Sequence, residues 1–204
     1  MLTAWLNVPE TRYARDGPLN FAYQIVGAEG PDLLFVPRMA FPIDLLWDEP
    51  TVAAKLRQLA GFCRLILTDP LGAGSSDKLP IGDRPAMQSW ADGLVAVLDA
   101  AAIDRASIFA MTGAALPAML LAATHPERVR SLVMWSPFAR FLSGPDQSFG
   151  LPDAALENYL DRFTDIVGTG RSLDRQAPSW AGDLAKRRCG RVVSASPEDP
   201  TTGV

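Results

Sequence analysis

Apolar residues in this chain come in short runs separated by turn residues, and the runs alternate between two lengths. Asp32-Leu33-Leu34-Phe35-Val36-Pro37, Arg64 to Thr68, Ser107-Ile108-Phe109-Ala110-Met111 and Val129 to Trp135 are near-continuous apolar stretches. That is the pattern of parallel strands buried on both faces. Between them lie longer segments with helical spacing. Pro50 to Gly61 sets Val52, Leu56 and Leu59 on one face. Met87 to Ala101 does the same with Trp90, Leu94, Val97, Leu98 and Ala101, and Ala115 to Thr124 is a small Ala/Leu/Met helix stopped by His125-Pro126. Ahead of the first run, Thr11 to Arg15 and Leu19 to Val26 read as a hairpin turning at Asp16-Gly17-Pro18. In its second arm Asn20, Ala22 and Gln24 alternate with Phe21, Tyr23 and Ile25.

Alternating strands and helices predict an α/β fold: a doubly wound, mostly parallel sheet with right-handed crossovers. The strand ending at Met111 is expected at its centre. After Trp135 the pattern changes. Ser136 to Gly150 is a polar connection bearing Pro and Gly, and Leu151 to Val167 forms one amphipathic helix. From Gly168 the pattern decays, and Ser194 to Val204 is rich in Ser, Pro and Thr. The expected organisation is one domain over residues 1–180, with a lid-like segment at about 138–170, and a disordered tail over 181–204.

Composition narrows the function. The 204 residues, 48% apolar and 21% charged, suit one globular core. A net charge of −4 gives no basic field for nucleic acid or an anionic membrane. No apolar run approaches a membrane span, and Met1 to Glu10 lacks the layout of a signal peptide, so a cytoplasmic protein is expected. Cys63 and Cys189 then read as reduced thiols. No metal-ligand spacing is present, and neither metal nor cofactor is expected.

Two motifs carry candidate chemistry. Asp69-Pro70-Leu71-Gly72-Ala73-Gly74-Ser75-Ser76-Asp77 is a Gly-rich loop after an apolar strand, and no Lys-Ser/Thr pair follows Gly74 to make it a phosphate loop. Ala110-Met111-Thr112-Gly113-Ala114 stands where a strand feeds a helix through a sharp turn. Its frame is that of a nucleophile elbow, small-x-nucleophile-x-small. Thr112 is the nucleophile position. Its alternative reading is a residue that ends the strand and N-caps the following helix. An elbow nucleophile sits at positive φ, at a cost of about 1–3 kcal/mol, and a β-branched residue tolerates that poorly.

These motifs, with Thr11-Arg12-Tyr13-Ala14, Ala22-Tyr23-Gln24-Ile25-Val26-Gly27, Arg64-Leu65-Ile66-Leu67-Thr68-Asp69 and Ala122-Ala123-Thr124-His125-Pro126-Glu127-Arg128-Val129, resemble the α/β-hydrolase superfamily. Within it the chain looks most like the hydrolase-like domains associated with bacterial class III adenylate cyclases. The resemblance implies a triad of Ser, then Asp or Glu after the seventh strand, then His after the eighth. It also implies that this chain stops before those strands. Thr112 alone occupies a triad position. The implied oxyanion hole uses the backbone N–H of Gly113 and that of Arg38, where a Gly is usual. Asp69 and Asp77 lie on the wrong loop for the triad acid.

His125, the single histidine, follows Thr112 by thirteen residues. A helix between them puts it about 18–20 Å away. Losing the base of such a triad costs about 10⁶ in kcat. The expected function is a catalytically degenerate hydrolase-fold module that binds a small apolar or ester ligand, or a partner, in a regulatory role. The alternatives are an ester hydrolase using Thr112 with His and Asp from another chain, and a truncated gene remnant. Self-association through the exposed edge strand Val129 to Trp135 is a further expectation.

Overall fold

The computed structural model describes residues 8–37, 42–79, 86–146, 148–166, 174, 178–180 and 182. The chain divides into two compact units, Met1–Ala139 and Arg140–Val204.

The first unit is built on one six-stranded sheet. Its strands are β1 (Arg12–Asp16), β2 (Leu19–Val26), β3 (Asp32–Val36), β4 (Arg64–Thr68), β5 (Ala106–Met111) and β6 (Val129–Trp135), in the spatial order β1-β2-β4-β3-β5-β6. The hairpin β1–β2 is antiparallel and joins β4 antiparallel, while β4, β3, β5 and β6 run parallel. The mostly parallel sheet is therefore as the apolar runs predict. β5 is interior, between β3 and β6, but not central. Among the described residues β6 is the outer strand, and it exposes Val133, Met134 and Trp135.

Helices α1 (Pro50–Ala60), α2 (Ala86–Ala100) and α3 (Ala115–Thr124) fall between the strands within a residue of their expected bounds. They close two apolar layers. Leu34, Val36, Ile66, Ile108 and Ala110 point to one face, where they join Leu94, Val97 and Leu98 of α2 and Ala115, Ala118 and Leu121 of α3. Phe35, Leu65 and Leu67 point to the other, with Ala53 and Leu56 of α1. Phe109 and Met111 pack against that second layer, and Phe109 stacks on Phe35 with ring centroids 5.2 Å apart. Period-two alternation along β5 thus sends alternate side chains to opposite cores.

Three details differ from the sequence reading. In β2 the alternating residues do not fall on one buried and one open face, because Phe21, Ala22, Tyr23 and Gln24 are all buried. A 3₁₀ turn at Ile43–Trp47 was not signalled by any periodicity; it buries Ile43, Leu46 and Trp47. In the second unit the amphipathic segment starts with a 3₁₀ turn at Asp153–Ala155, and α4 spans Leu156–Ile166. Val167 and the expected tail over 181–204 lie outside the described residues, apart from Gly182. Within that unit Leu142 pairs with Leu151 in an isolated parallel bridge, and the Phe141 and Tyr159 rings meet at 5.2 Å.

One glycine fixes how closely α2 approaches the sheet. A Cβ at Gly93 would overlap the ring of Phe21, which is buried in β2. Gly93→Ala should gain about 1 kcal/mol in helix propensity. The overpacking loss of about 1–3 kcal/mol or more exceeds it. Urea unfolding of this variant is expected to give a net loss of stability; a gain would mean that the Phe21 ring moves aside freely.

Candidate active site

Thr112 directly follows β5, and its φ is +52°. It opens a 3₁₀ turn over Thr112–Ala114 that leads into α3. The sequence dictates this sharpness. Ala110 and Ala114 are fully buried on either side, so the chain must reverse within a few residues between two packed elements. Positive φ at a β-branched residue is a genuine outlier. The elbow geometry expected of the frame is present. The N-cap reading of Thr112 is corrected: the residue preceding α3 is Ala114, with no side-chain cap, and Met111 precedes the 3₁₀ turn. Gly113 lies in the first turn, whose N–H groups have no partner within the helix. The other expected oxyanion donor, Arg38, lies outside the described residues.

His125 is at the opposite end of α3. It caps the helix C-terminus, donates its N–H to Leu121 O at 2.8 Å, and holds Nδ1 2.9 Å from Thr124 Oγ1. The ten residues of α3 span about 15 Å between it and the elbow. Among the described residues, the Thr112 hydroxyl has no hydrogen-bond partner. No base therefore reaches Thr112 from the described part of this chain.

The Gly-rich loop has a different job from the one its position at the sheet's carboxyl edge suggests. Asp69 is 1% exposed and turned inward. Its Oδ1 accepts the Ile43 N–H at 2.9 Å, and its Oδ2 accepts the Ser75 N–H at 3.0 Å. Gly74 is required beside it: φ there is +56°, and a Cβ would overlap the Asp69 carboxylate. Ser76 Oγ donates to Asp69 O at 2.7 Å and accepts the Ala22 N–H at 2.8 Å. Asp77 Oδ2 accepts the Asn20 N–H at 2.8 Å and its Nδ2–H at 2.9 Å. The Asp69 side chain thus ties the loop to the 3₁₀ turn, and that of Asp77 ties it to β2.

A polar network missed by the sequence reading runs on from there. Asp44 Oδ2 accepts from Ser75 Oγ at 2.8 Å, and its Oδ1 accepts from Thr11 Oγ1 at 2.5 Å and Gln24 Nε2 at 2.6 Å. Gln24 in turn accepts from Trp47 Nε1 at 2.7 Å. The only available signal was the polar Gln24 inside an apolar strand. The gap between Asp69 and the start of α3, lined by Phe21, Val36, Trp90, Ala114 and Pro117 among others, is about 10 Å³. That is room for about one water. Nothing larger fits in that gap.

Burial raises the Asp69 pKa from 3.8 to about 7; the Ser75 and Ile43 N–H groups pull it down, and the charge of Asp44 adds to the rise. A carboxyl with a raised folded-state pKa keeps its proton in the folded state where the unfolded chain has lost it. Its stabilisation is full below about pH 4 and is lost as pH rises through about 7. Thermal unfolding midpoints are expected to fall between about pH 4 and 7. In Asp69→Asn that slope should flatten, whatever the substitution itself costs; an unchanged slope would assign the dependence elsewhere.

No family model matches the chain. It is 39% identical over 119 residues to 2-hydroxymuconate semialdehyde hydrolase of Pseudomonas sp. (strain CF600), a match covering 57% of this chain and 41% of that protein. The chain thus spans less than half the length of that relative. Its structure is similar to that of a hydrolase from Pseudomonas aeruginosa PA01, with a TM-score of 0.68 at 19% identity over 93% of this chain and 69% of the other. It is also similar to carboxylesterase CesB from Bacillus subtilis, with a TM-score of 0.63 at 18% identity over 97% of this chain and 65% of the other. With the strand order, the elbow and these likenesses together, the chain has the α/β-hydrolase fold.

Proposed function

We propose that this protein is a degenerate hydrolase-fold module that seats a small ester- or carboxylate-bearing ligand over Thr112 without turning it over through a triad of its own. The observation that carries the reading is the separation of the elbow from the single histidine. Thr112 holds the strained backbone of a nucleophile at one end of α3, while His125 caps the other. The elbow's backbone donors and hydroxyl can still hold a carbonyl oxygen. Without a base, the contribution of about 10⁶ in kcat that a complete triad supplies is missing. The resemblance of its sequence to cyclase-associated hydrolase-like domains is what suggests a regulatory role. Among the described residues, no helix is long and apolar enough to cross a membrane.

A second reading has its own support. The retained positive φ at a β-branched residue and the 39% identity to a hydrolase favour an esterase that works through Thr112 with His and Asp from another polypeptide. Hydrolysis of p-nitrophenyl acetate separates the two. The purified chain is expected to give background rates, unchanged in Thr112→Ala. Turnover near the common enzyme value of about 10 s⁻¹, abolished by Thr112→Ala, would overturn the non-catalytic reading.

A further inference from the structure

Among the described residues three non-glycine positions have positive φ: Ala102, Thr112 and Ser136. Ala102 has an ordinary reason. It follows α2, its N–H reaches Asp99 O at 3.0 Å, and the next N–H, of Ile103, reaches Leu98 O at 2.9 Å. This is the left-handed residue that commonly closes a helix. The other two stand together. β5 and β6 are parallel and in register at Met111↔Trp135, so the residues that follow, Thr112 and Ser136, leave neighbouring strands side by side. Strands in a sheet are about 4.8 Å apart.

Both residues bear a hydroxyl, both sit at φ near +50°, and neither hydroxyl has a hydrogen-bond partner among the described residues. Ser136 is exposed. Each strained backbone costs about 1–3 kcal/mol, persists only where the surrounding structure over-determines it, and such residues cluster at active sites and ligand clamps. In open α/β sheets the carboxyl edge of neighbouring strands is where ligands bind.

We propose that Ser136 is a binding residue of the site, forming with Thr112 a paired-hydroxyl subsite for the two oxygens of a carboxylate or carboxylic ester. The inference rests on the reading of Thr112 as a ligand-holding elbow and adds a second residue to it. One hydroxyl meets each oxygen, and the Gly113 N–H lies beside the Thr112 hydroxyl's share. Ser136 is unbranched, so its strain is lower than that of Thr112, and Pro137 restricts the backbone of Ser136 before it.

The test uses benzoate, whose two carboxylate oxygens on one planar centre each accept a hydrogen bond, titrated into the full chain by calorimetry. Variants separate the hydroxyl from the backbone. Ser136→Gly removes the hydroxyl and relieves the backbone, so affinity should fall about tenfold, one neutral hydrogen bond's equivalent, while Tm holds or rises by about 2–4 °C. Ser136→Thr keeps the hydroxyl and adds a branch, so affinity should hold while Tm falls. Affinity that stays at the wild-type value in Ser136→Gly, while Thr112→Ala loses it, overturns the paired subsite and leaves the elbow reading intact. Absence of binding to the wild-type chain overturns both.

Discussion

A carboxylate sealed from water is unfavourable unless the groups around it replace its hydration. Asp69 meets that condition only in part: two backbone N–H groups from two different segments, Ile43 and Ser75, bond its oxygens, and burial still raises its pKa to about 7. The constraint this imposes reaches across the carboxyl edge of the sheet. The turn after β3 and the loop after β4 are both tied to one side chain at the end of β4, and Ser76 and Asp77 fasten the same loop to β2. Removing the carboxylate would leave two buried N–H donors without acceptors, each worth about 1–3 kcal/mol. The edge from which Thr112 projects is therefore braced on the side away from β6 by a polar cluster, not by apolar packing alone.

That bracing was the part of the molecule hidden from sequence. Strands and helices were legible because their signals are local. Leu33 to Val36 is continuously apolar, Leu94, Val97 and Leu98 recur on one helical face, and His125-Pro126 stops a helix wherever it occurs. The elbow was legible too, since Ala110, Gly113 and Ala114 leave room for a strained residue at 112 regardless of the rest of the fold. The Asp44 cluster depends on partners 20, 31 and 33 residues away. Nothing in the spacing of Thr11, Gln24, Asp44 and Ser75 announces that they meet. Gln24 shows the limit most clearly. In a two-residue alternation it reads as a solvent-facing position, yet it is wholly buried because the 3₁₀ turn carrying Asp44 and Trp47 covers it.

The place of β5 is a subtler case. A strand carrying the elbow was expected in the middle of the sheet, and local pattern contains no information about how many strands lie beyond it. What the pattern does carry is the need for cover on both faces: Ile108 and Ala110 point one way, Phe109 and Met111 the other. That requirement is met for β5 by its own neighbours. For β6 it is met at Val129, which is buried, and in part at Leu132, while Val133, Met134 and Trp135 are exposed.

A strained residue survives when the structure on both sides of it is rigid enough that relaxing it would break something larger. At Thr112 both sides are rigid. β5 is laddered to β3 and β6, and Ala115, Ala118 and Leu121 anchor α3 with no exposed surface. Moving the turn to a relaxed φ would shift one of these elements, and a lost core contact of about 2–5 kcal/mol outweighs the strain of about 1–3 kcal/mol. The same argument bears on Ser136 with less force, because beyond it lies a connection and not a packed helix. Packing alone therefore accounts for the backbone of Thr112 but not for that of Ser136, and it is at Ser136 that a role in holding a ligand has the most to explain.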